Sequence, residues 1–216
     1  NGFDASIIGN SEDRTSLPAA KRNAERFTES SNGMPLTTAK VAVRHQRFGE
    51  IGVSTMGGVY NQFQVDGLVL DKRRRVDVIA IDVNTGIKPW GTSLIGEWAW
   101  VMVDVPATYT QQYGSAQRGG FLDIIQPLYK GTILGFEDAV LNLAVRGEYV
   151  DWNVGTFRET NTRIGDEVWA IVPAISFRPV PGTVLRLNYR HERAVDVLGN
   201  PPSITGGLQF GISSYF

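Results

Sequence analysis

The sequence predicts an all-β chain that forms a transmembrane, up-and-down, antiparallel β-barrel, with about ten strands in its 216 residues. Three observations predict this fold. Apolar and polar side chains alternate with a period of two residues over most of the chain, as in strands buried on one face. The connections between these strands are alternately short and long. The last strand also alternates, and it ends in Phe216.

The composition excludes several kinds of site but not a membrane barrel. The chain has no cysteine, which removes disulfides, thiol nucleophiles and cysteine-ligated zinc, and it has only two histidines, His45 and His191. Its 21 basic and 22 acidic residues give a formal net charge of −1, without the basic excess of nucleic-acid-binding proteins. No apolar run is long enough for a transmembrane helix, but a transmembrane strand needs apolar residues only at alternate positions.

The clearest predicted strand is residues 183–192, where Leu185 and Leu187 lie on one face and Arg186 and Arg190 on the other. A helix would scatter both sets around its axis. The same test predicts strands at 2–10, 39–47, 51–60, 75–84, 92–104, 119–128, 140–152, 167–178, 183–193 and 203–216.

Two stretches depart from regular alternation. Residues 17–28 have the composition of a short helix within a loop. In the strand 75–84, Asp77 and Asp82 have opposite parity, which predicts a bulge or a misplaced boundary there.

The connections predict the topology, because short turns at one end and long loops at the other are typical of outer-membrane barrels. A soluble β-sandwich or lipocalin-like barrel is the alternative, but a sandwich has no reason to separate its connections by length. With a periplasmic C-terminus, the periplasmic turns are 48–50, 85–91, 129–139 and 179–182. The extracellular loops are then 11–38, 61–74, 105–118, 153–166 and 194–202.

Outward-facing aromatic residues are expected in two belts at the heights of the two membrane interfaces. The predicted outer belt contains Tyr149, Trp169 and Tyr189, and the predicted inner belt contains Trp90, Phe177 and Phe216.

The C-terminal strand carries a further signal. Phe210, Ile212 and the terminal Phe216 share the outward face. This pattern resembles the signature that bacterial outer-membrane barrels present to their assembly machinery, so we predict these residues as an assembly signal.

Five segments resemble the C-terminal part of the phosphate-selective porin O and P family: 96–106, 113–129, 143–155, 179–192 and 207–216. They contain Glu97 on one strand, the Gly120–Phe121 pair at the start of the next, and an Arg-x-Glu-Tyr-x-Asp pattern formed by Arg146, Glu148, Tyr149 and Asp151. The resemblance implies a longer barrel of about sixteen strands, of which this chain is the C-terminal portion, without the N-terminal strands. It also implies a homotrimer. The basic ladder of the family has no match here, so phosphate specificity is not implied.

A pore requires polar side chains on the inward face. Parity places six basic and four acidic residues there, and the acidic ones are Glu97, Asp123, Glu148 and Glu192. Arg146 and Arg190 could attract anions by field focusing, or they could pair with the neighbouring glutamates and hold the wall together. The predicted pore-lining residues are Lys40, Arg44, Glu97, Arg146, Glu148, Arg178, Arg186 and Arg190.

Other polar features allow two interpretations each. The run Lys72 to Arg75 could bind lipopolysaccharide phosphate or form a solvated rim, partly neutralised by Asp66, Asp71 and Asp77. Glu159 and Asp166 could bind a divalent cation or be solvated loop charges, and we expect the latter. His45 and His191 face outward by parity, which disfavours catalysis.

We therefore expect a single outer-membrane barrel domain over residues 1–216. Its expected function is that of a porin, a passive channel for small hydrophilic solutes with a preference for anions. The alternative is a structural or partner-binding barrel subunit of a larger complex without transport. We expect no enzymatic activity, metal, cofactor or nucleic acid. The expected partners are outer-membrane lipid, lipopolysaccharide, the barrel assembly machinery, and further protomers or a larger membrane complex.

Overall fold

The computed structural model describes residues 9–11, 14–16, 33–61, 63–106 and 113–215, and this part of the chain is all-β. It contains no helix long and apolar enough to cross a membrane. The strands are β1 (Gly9–Ser11), β2 (Arg14–Ser16), β3 (Thr37–His45), β4 (Gly49–Val59), β5 (Gln64–Val65), β6 (Leu68–Val69), β7 (Arg75–Ile87), β8 (Thr92–Val103), β9 (Ala116–Ile133), β10 (Phe136–Asp151), β11 (Glu167–Arg178), β12 (Thr183–Val195) and β13 (Ser203–Ser214).

Nine of these strands form one antiparallel sheet in the order β13-β12-β11-β10-β9-β8-β7-β4-β3. Each strand pairs with its neighbour in the chain, apart from the small β5–β6 hairpin inserted between β4 and β7. The up-and-down antiparallel order predicted from the sequence is therefore confirmed. The sheet is not closed, because β3 and β13 each have one neighbour, and every residue of both strands is exposed.

The last nine of the ten predicted strands correspond to strands of this sheet. For the first, predicted at 2–10, residues 1–8 lie outside the described part of the chain, and Gly9–Ser11 pairs with Arg14–Ser16 in a separate hairpin. The predicted helix at 17–28 also lies outside the described residues.

Short and long connections alternate as predicted. The short turns are 46–48, 88–91, 134–135 and 179–182, and we call this end of the sheet the turn end. The long connections are 60–74, 104–115, 152–166 and 196–202, at what we call the loop end. The predicted turn at 129–139 is wrong, because β9 and β10 continue to a two-residue turn in which Leu134 and Gly135 both have positive φ. Positive φ at both central residues is typical of two-residue hairpin turns.

Of the bulge or misplaced boundary predicted for the strand 75–84, the bulge is wrong, and the boundary is misplaced because β7 continues to Ile87. The pairing of β7 with β4 is continuous from Val59↔Arg75 to Glu50↔Asn84. Asp77 therefore lies on the opposite face from Asp82, where it forms an ion pair of 2.9 Å with Arg75. The irregularities of the sheet lie between β9 and β10 instead.

The two faces of the sheet differ in chemistry. One face, which we call the apolar face, presents exposed Val41, Ile81, Leu122, Ile175 and Phe210. The other face, which we call the charged face, carries all eight predicted pore-lining residues. At the loop end the charged face also holds a small buried core of Tyr60, Val76, Val103 and Val105.

The aromatic residues of the apolar face are placed by the strand register. Tyr149 and Trp169 are directly paired, and Trp98 stacks on Tyr149 with ring centroids 5.9 Å apart, so one aromatic row lies near the loop end. Arg193 pairs with Trp169 in this row, and Tyr189 is four residues from Arg193. Tyr189 therefore lies about 13 Å from the row along β12, and its predicted position in the outer belt is wrong. Phe177 and Trp90 lie towards the turn end, as predicted, and Phe216 lies outside the described residues.

Candidate functional site

The charged face carries two neighbouring rows in which most side chains are ionisable. We call these rows, together with Lys40 and Arg190 that form ion pairs with them, the charged belt. Direct pairing across the sheet places Asp82, Glu97, Phe121, Glu148, Ala170 and Glu192 in the first row. The second row, two residues closer to the turn end, contains Arg44, Glu50, Asn84, Ile95, Asp123 and Arg146. The belt brings together ionisable residues that are far apart in the sequence.

A chain of ion pairs runs through one side of the belt. Arg146 binds Asp123 through two hydrogen bonds of 2.7 Å, from Nε to Oδ1 and from Nη2 to Oδ2. Its Nη1 lies 3.5 Å from Glu148 Oε1. The other oxygen of Glu148, Oε2, lies 2.6 Å from Arg190 Nη1. Arg190 Nε in turn lies 2.9 Å from Glu192 Oε2. Of the two interpretations given for Arg146 and Arg190, their contacts therefore agree with pairing to neighbouring carboxylates.

A small residue lies beneath the Arg190–Glu148 pair. Glu148 is on β10 and Arg190 is on β12, so the arginine must extend across β11. The residue of β11 between the paired positions of Glu148 and Glu192 is Ala170, which is buried. A large side chain there would occupy the path of the guanidinium.

The same arrangement occurs at the other side of the sheet. Lys40 Nζ on β3 lies 2.8 Å from Asp82 Oδ1 on β7, and the ammonium extends across β4. The β4 residue that pairs with Asp82 is Gly52, where an added Cβ would lie 2.5 Å from the Asp82 carboxylate and 2.8 Å from Lys40 Cε. Arg44 pairs with Glu50 at 2.7 Å.

Three of the predicted residues, Glu97, Arg178 and Arg186, form no ion pair within the described part of the chain. Glu97 is directly paired in register with Asp82, and the Asp82 carboxylate is bound by Lys40. Arg178 and Arg186 lie near the turn end on adjacent strands, and Lys130 is two strands away in the row of Arg178. We call Lys130, Arg178 and Arg186 the basic patch.

The charge count predicted for this face needs correction. Its regularly paired positions hold seven basic and six acidic residues rather than six and four. Glu50 and Lys130 were assigned to turns, and Asp82 belonged to the strand of ambiguous parity. The observed strand boundaries include Glu50 and Lys130, and the pairing of Asp82 with Gly52 fixes its face. Glu137 and Asp138 adjoin Lys130 at the irregular part of β10.

The basic run of loop 60–74 is partly neutralised, as the solvated-rim interpretation requires. Arg74 binds Asp71 at 2.7 Å, and this guanidinium lowers the pKa of the Asp71 carboxyl. Arg75 pairs with Asp77, and the Arg73 guanidinium lies 5.0 Å from the centre of the Phe63 ring.

The remaining predicted residues are on or near the apolar face. His45 stacks on Phe48 with ring centroids 5.1 Å apart, and His191 makes an edge contact with Trp169. The two histidines lie on different strands, β3 and β12, which are separated by six others. Phe210 and Ile212 of the predicted assembly signal are exposed on the apolar face of β13. Asp166 is buried and accepts a 2.8 Å hydrogen bond from Asn153, so the expectation that it is a solvated loop charge is wrong.

We compared the chain with protein-family models, with curated proteins and with solved structures, and it matches none of them. The resemblance to the phosphate-selective porin O and P family therefore remains a prediction from the sequence segments alone. The arguments about function that follow are drawn from the two faces of the sheet and from the contacts of their side chains.

Proposed function

We propose that this chain is the wall of an outer-membrane β-barrel porin, which lets small hydrophilic solutes diffuse passively along the charged face. The observation that carries the proposal is the exposed apolar face opposite a charged one. Large apolar residues are exposed on all nine strands of the sheet. At strand spacings of about 4.8 Å this apolar face is about 40 Å wide, and eight residues along a strand add a length of about 27 Å. The area is therefore about 1,000 Å², larger than the patches of about 300–600 Å² on soluble monomers.

The height of the apolar band supports a bilayer environment. Tyr149 in the aromatic row and Leu141, paired with Phe177, are eight residues apart on β10. This separation is about 27 Å along the strand. With the usual tilt of about 40°, the band is about 20 Å high, close to the apolar belt of about 25 Å in outer-membrane barrels.

The open edges support a larger barrel. Nine antiparallel strands leave β3 and β13 running in the same direction. Bacterial barrels close with antiparallel pairs and an even number of strands, so an odd number of further strands is required between these two edges. Seven further strands would give the barrel of about sixteen that the sequence resemblance implies.

The ion pairs support a preference for anions that originates at one end of the channel. The belt arginines are occupied by carboxylates, whereas the basic patch near the turn end has no such partners among the described residues. Unpaired guanidinium and ammonium groups in a confined aqueous path raise the local concentration of anions. We therefore assign the anion preference to the basic patch.

Conductance measurement in a planar lipid bilayer tests the proposal directly. The purified protein is expected to form stable open channels, and a potassium chloride gradient is expected to give a reversal potential of the sign for anion preference. Absence of channels would contradict the porin function and favour a structural or partner-binding barrel. Preference for cations would contradict the role given to the basic patch.

The substitution Arg186→Glu is expected to reduce or reverse the anion preference, because it places a negative charge within the basic patch. Reversal potential in a salt gradient is the measurement. Arg193→Glu is the matched control, since Arg193 lies on the same strand but on the apolar face. Equal effects of the two substitutions would show that the assignment of faces on β12 is incorrect.

A further inference from the structure

The loop end of the apolar face carries charged residues where a lipid-facing surface would otherwise be apolar. Arg118 of β9, Tyr149 and Asp151 of β10, and Glu167 of β11 share this face, because Arg118, Asp151 and Glu167 are paired in one row. Arg163 from the loop 152–166 completes the group. We call these five residues the rim cluster.

The carboxylates of the rim cluster are satisfied internally. Arg163 Nη2 lies 3.1 Å from Asp151 Oδ2 and 2.7 Å from Glu167 Oε2. Arg118 Nη2 lies 3.4 Å from the same Asp151 oxygen, and Asp151 is only 1 % exposed. The guanidiniums are more open, since the side chains of Arg163 and Arg118 are 54 % and 39 % exposed.

Donors remain unused in and beside the cluster. Arg118 Nε is buried without a hydrogen-bond partner among the described residues. Arg193 of β12 pairs in register with Trp169, and its side chain forms no hydrogen bond or ion pair with any residue that the structure describes. Because Val195 pairs with Glu167, the backbone of Arg193 is about 8 Å from that of Glu167, the residue that binds Arg163.

The cluster and Arg193 together have one positive charge in excess, from three guanidiniums and two carboxylates. They stand at or just above the aromatic row of Trp98, Tyr149 and Trp169. Aromatic rows of this kind mark the membrane interface, so these cations lie at the height of lipid headgroups. Guanidiniums bind phosphate through paired hydrogen bonds.

We propose that the rim cluster and Arg193 bind the phosphate groups of a phosphorylated glycolipid in the outer leaflet of the membrane. This inference rests on the membrane barrel of the proposed function, but it does not require an open channel. The basic run of loop 60–74 is a weaker candidate, because Arg74 and Arg75 are already paired with aspartates.

Binding to the detergent-solubilised full chain tests the inference, with three probes: the bisphosphorylated lipid A part of lipopolysaccharide, the same lipid without phosphates, and inorganic phosphate. Lipid A is expected to bind and to raise the thermal unfolding temperature, and the other two probes are expected to do neither. Arg193→Gln is expected to weaken lipid A binding about tenfold. Since the Arg193 side chain has no partner among the described residues, this variant is expected to fold normally.

Arg186→Gln is the matched control, because Arg186 lies on the charged face of the same strand and has no ion pair within the part of the chain that the structure describes. It is expected to leave lipid A binding unchanged and to alter the reversal potential, whereas Arg193→Gln is expected to do the opposite. Equal binding of lipid A with and without phosphates would overturn the inference, as would unchanged binding by Arg193→Gln. Loss of conductance with intact phosphate-dependent binding would contradict the porin function and leave the rim site standing.

Discussion

Replacement of Gly120 by alanine is expected to destabilise the sheet strongly, by about 3 kcal/mol. Gly120 lies on the apolar face of β9, opposite Trp98 of β8 and Tyr149 of β10. A Cβ atom there would lie 2.1 Å from the carbonyl oxygen of Glu97 and 2.9 Å from the Cα of Trp98. These atoms belong to the backbone, so relief requires β8 and β9 to move apart, which weakens their pairing.

The same substitution is expected to disturb the aromatic row. The Trp98 and Tyr149 rings stack at 5.9 Å and are nearly parallel, with an angle of 2° between their planes. They come from the strands on either side of Gly120. A movement of β8 away from β9 would carry Trp98 away from Tyr149 and weaken this stacking.

Thermal unfolding, followed by the change in gel mobility between the folded and the heated protein, measures the effect. Gly147→Ala is the matched control, since Gly147 lies on the same face of the adjacent strand with no atom within 4 Å of an added Cβ. We expect Gly147→Ala to unfold close to the temperature of the parent protein. A similar unfolding temperature for both variants would show that β9 accepts a side chain at position 120.

The two faces of the sheet could be predicted from the sequence because they depend only on the period of two. Each side chain of a strand points to the side opposite its neighbour, so assigning 183–193 as a strand placed Arg186 and Leu187 on opposite faces. For this reason all eight predicted pore-lining residues lie on one face. Closure into a barrel depends on contacts of β3 and β13 with further strands, and stays a prediction.

The ion pairs and the heights of side chains could not be predicted, because they depend on the register between strands. Lys40 and Asp82 are 42 residues apart, and their contact requires the glycine at position 52 to pair with Asp82. The position of Tyr189 shows the same limit. Its parity was correct, but its height follows from the pairing of Arg193 with Trp169. The alternation of apolar and polar residues in the sequence indicates the face on which a residue lies, but not the row of paired residues to which it belongs.

Replacement of Arg146 by alanine is expected to destabilise the folded protein by about 1–2 kcal/mol, because it leaves Asp123 without its cation and leaves Glu148 with Arg190 alone. Arg146 is bound by both oxygens of Asp123 and approaches Glu148 at 3.5 Å. The Asp123 side chain is 19 % exposed, and the arginine is 41 % exposed, so solvent screening keeps the cost below that of a fully buried pair. The guanidinium also lies 4.5 Å from the centre of the Phe121 ring, a contact that alanine removes.

Arg178→Ala separates the effect of pairing from the effect of charge. Arg178→Ala removes a cation of the basic patch, and Arg146→Ala leaves the Asp123 carboxylate uncompensated, so both are expected to reduce the anion preference measured by the reversal potential. Arg178 has no ion pair within the described residues. Its loss is therefore expected to leave the thermal unfolding temperature unchanged, whereas Arg146→Ala lowers it.

The double variant Arg146→Ala with Asp123→Ala completes the argument. Removal of Asp123 from the Arg146→Ala background eliminates the carboxylate that had lost its two hydrogen bonds, so we expect part of the stability to return. In a double-mutant cycle the coupling between the two side chains is expected to be about 1 kcal/mol or more. Additive effects on the free energy of unfolding would mean that the chain of ion pairs does not stabilise the sheet. The belt arginines would then be as free as the basic patch to act on passing anions.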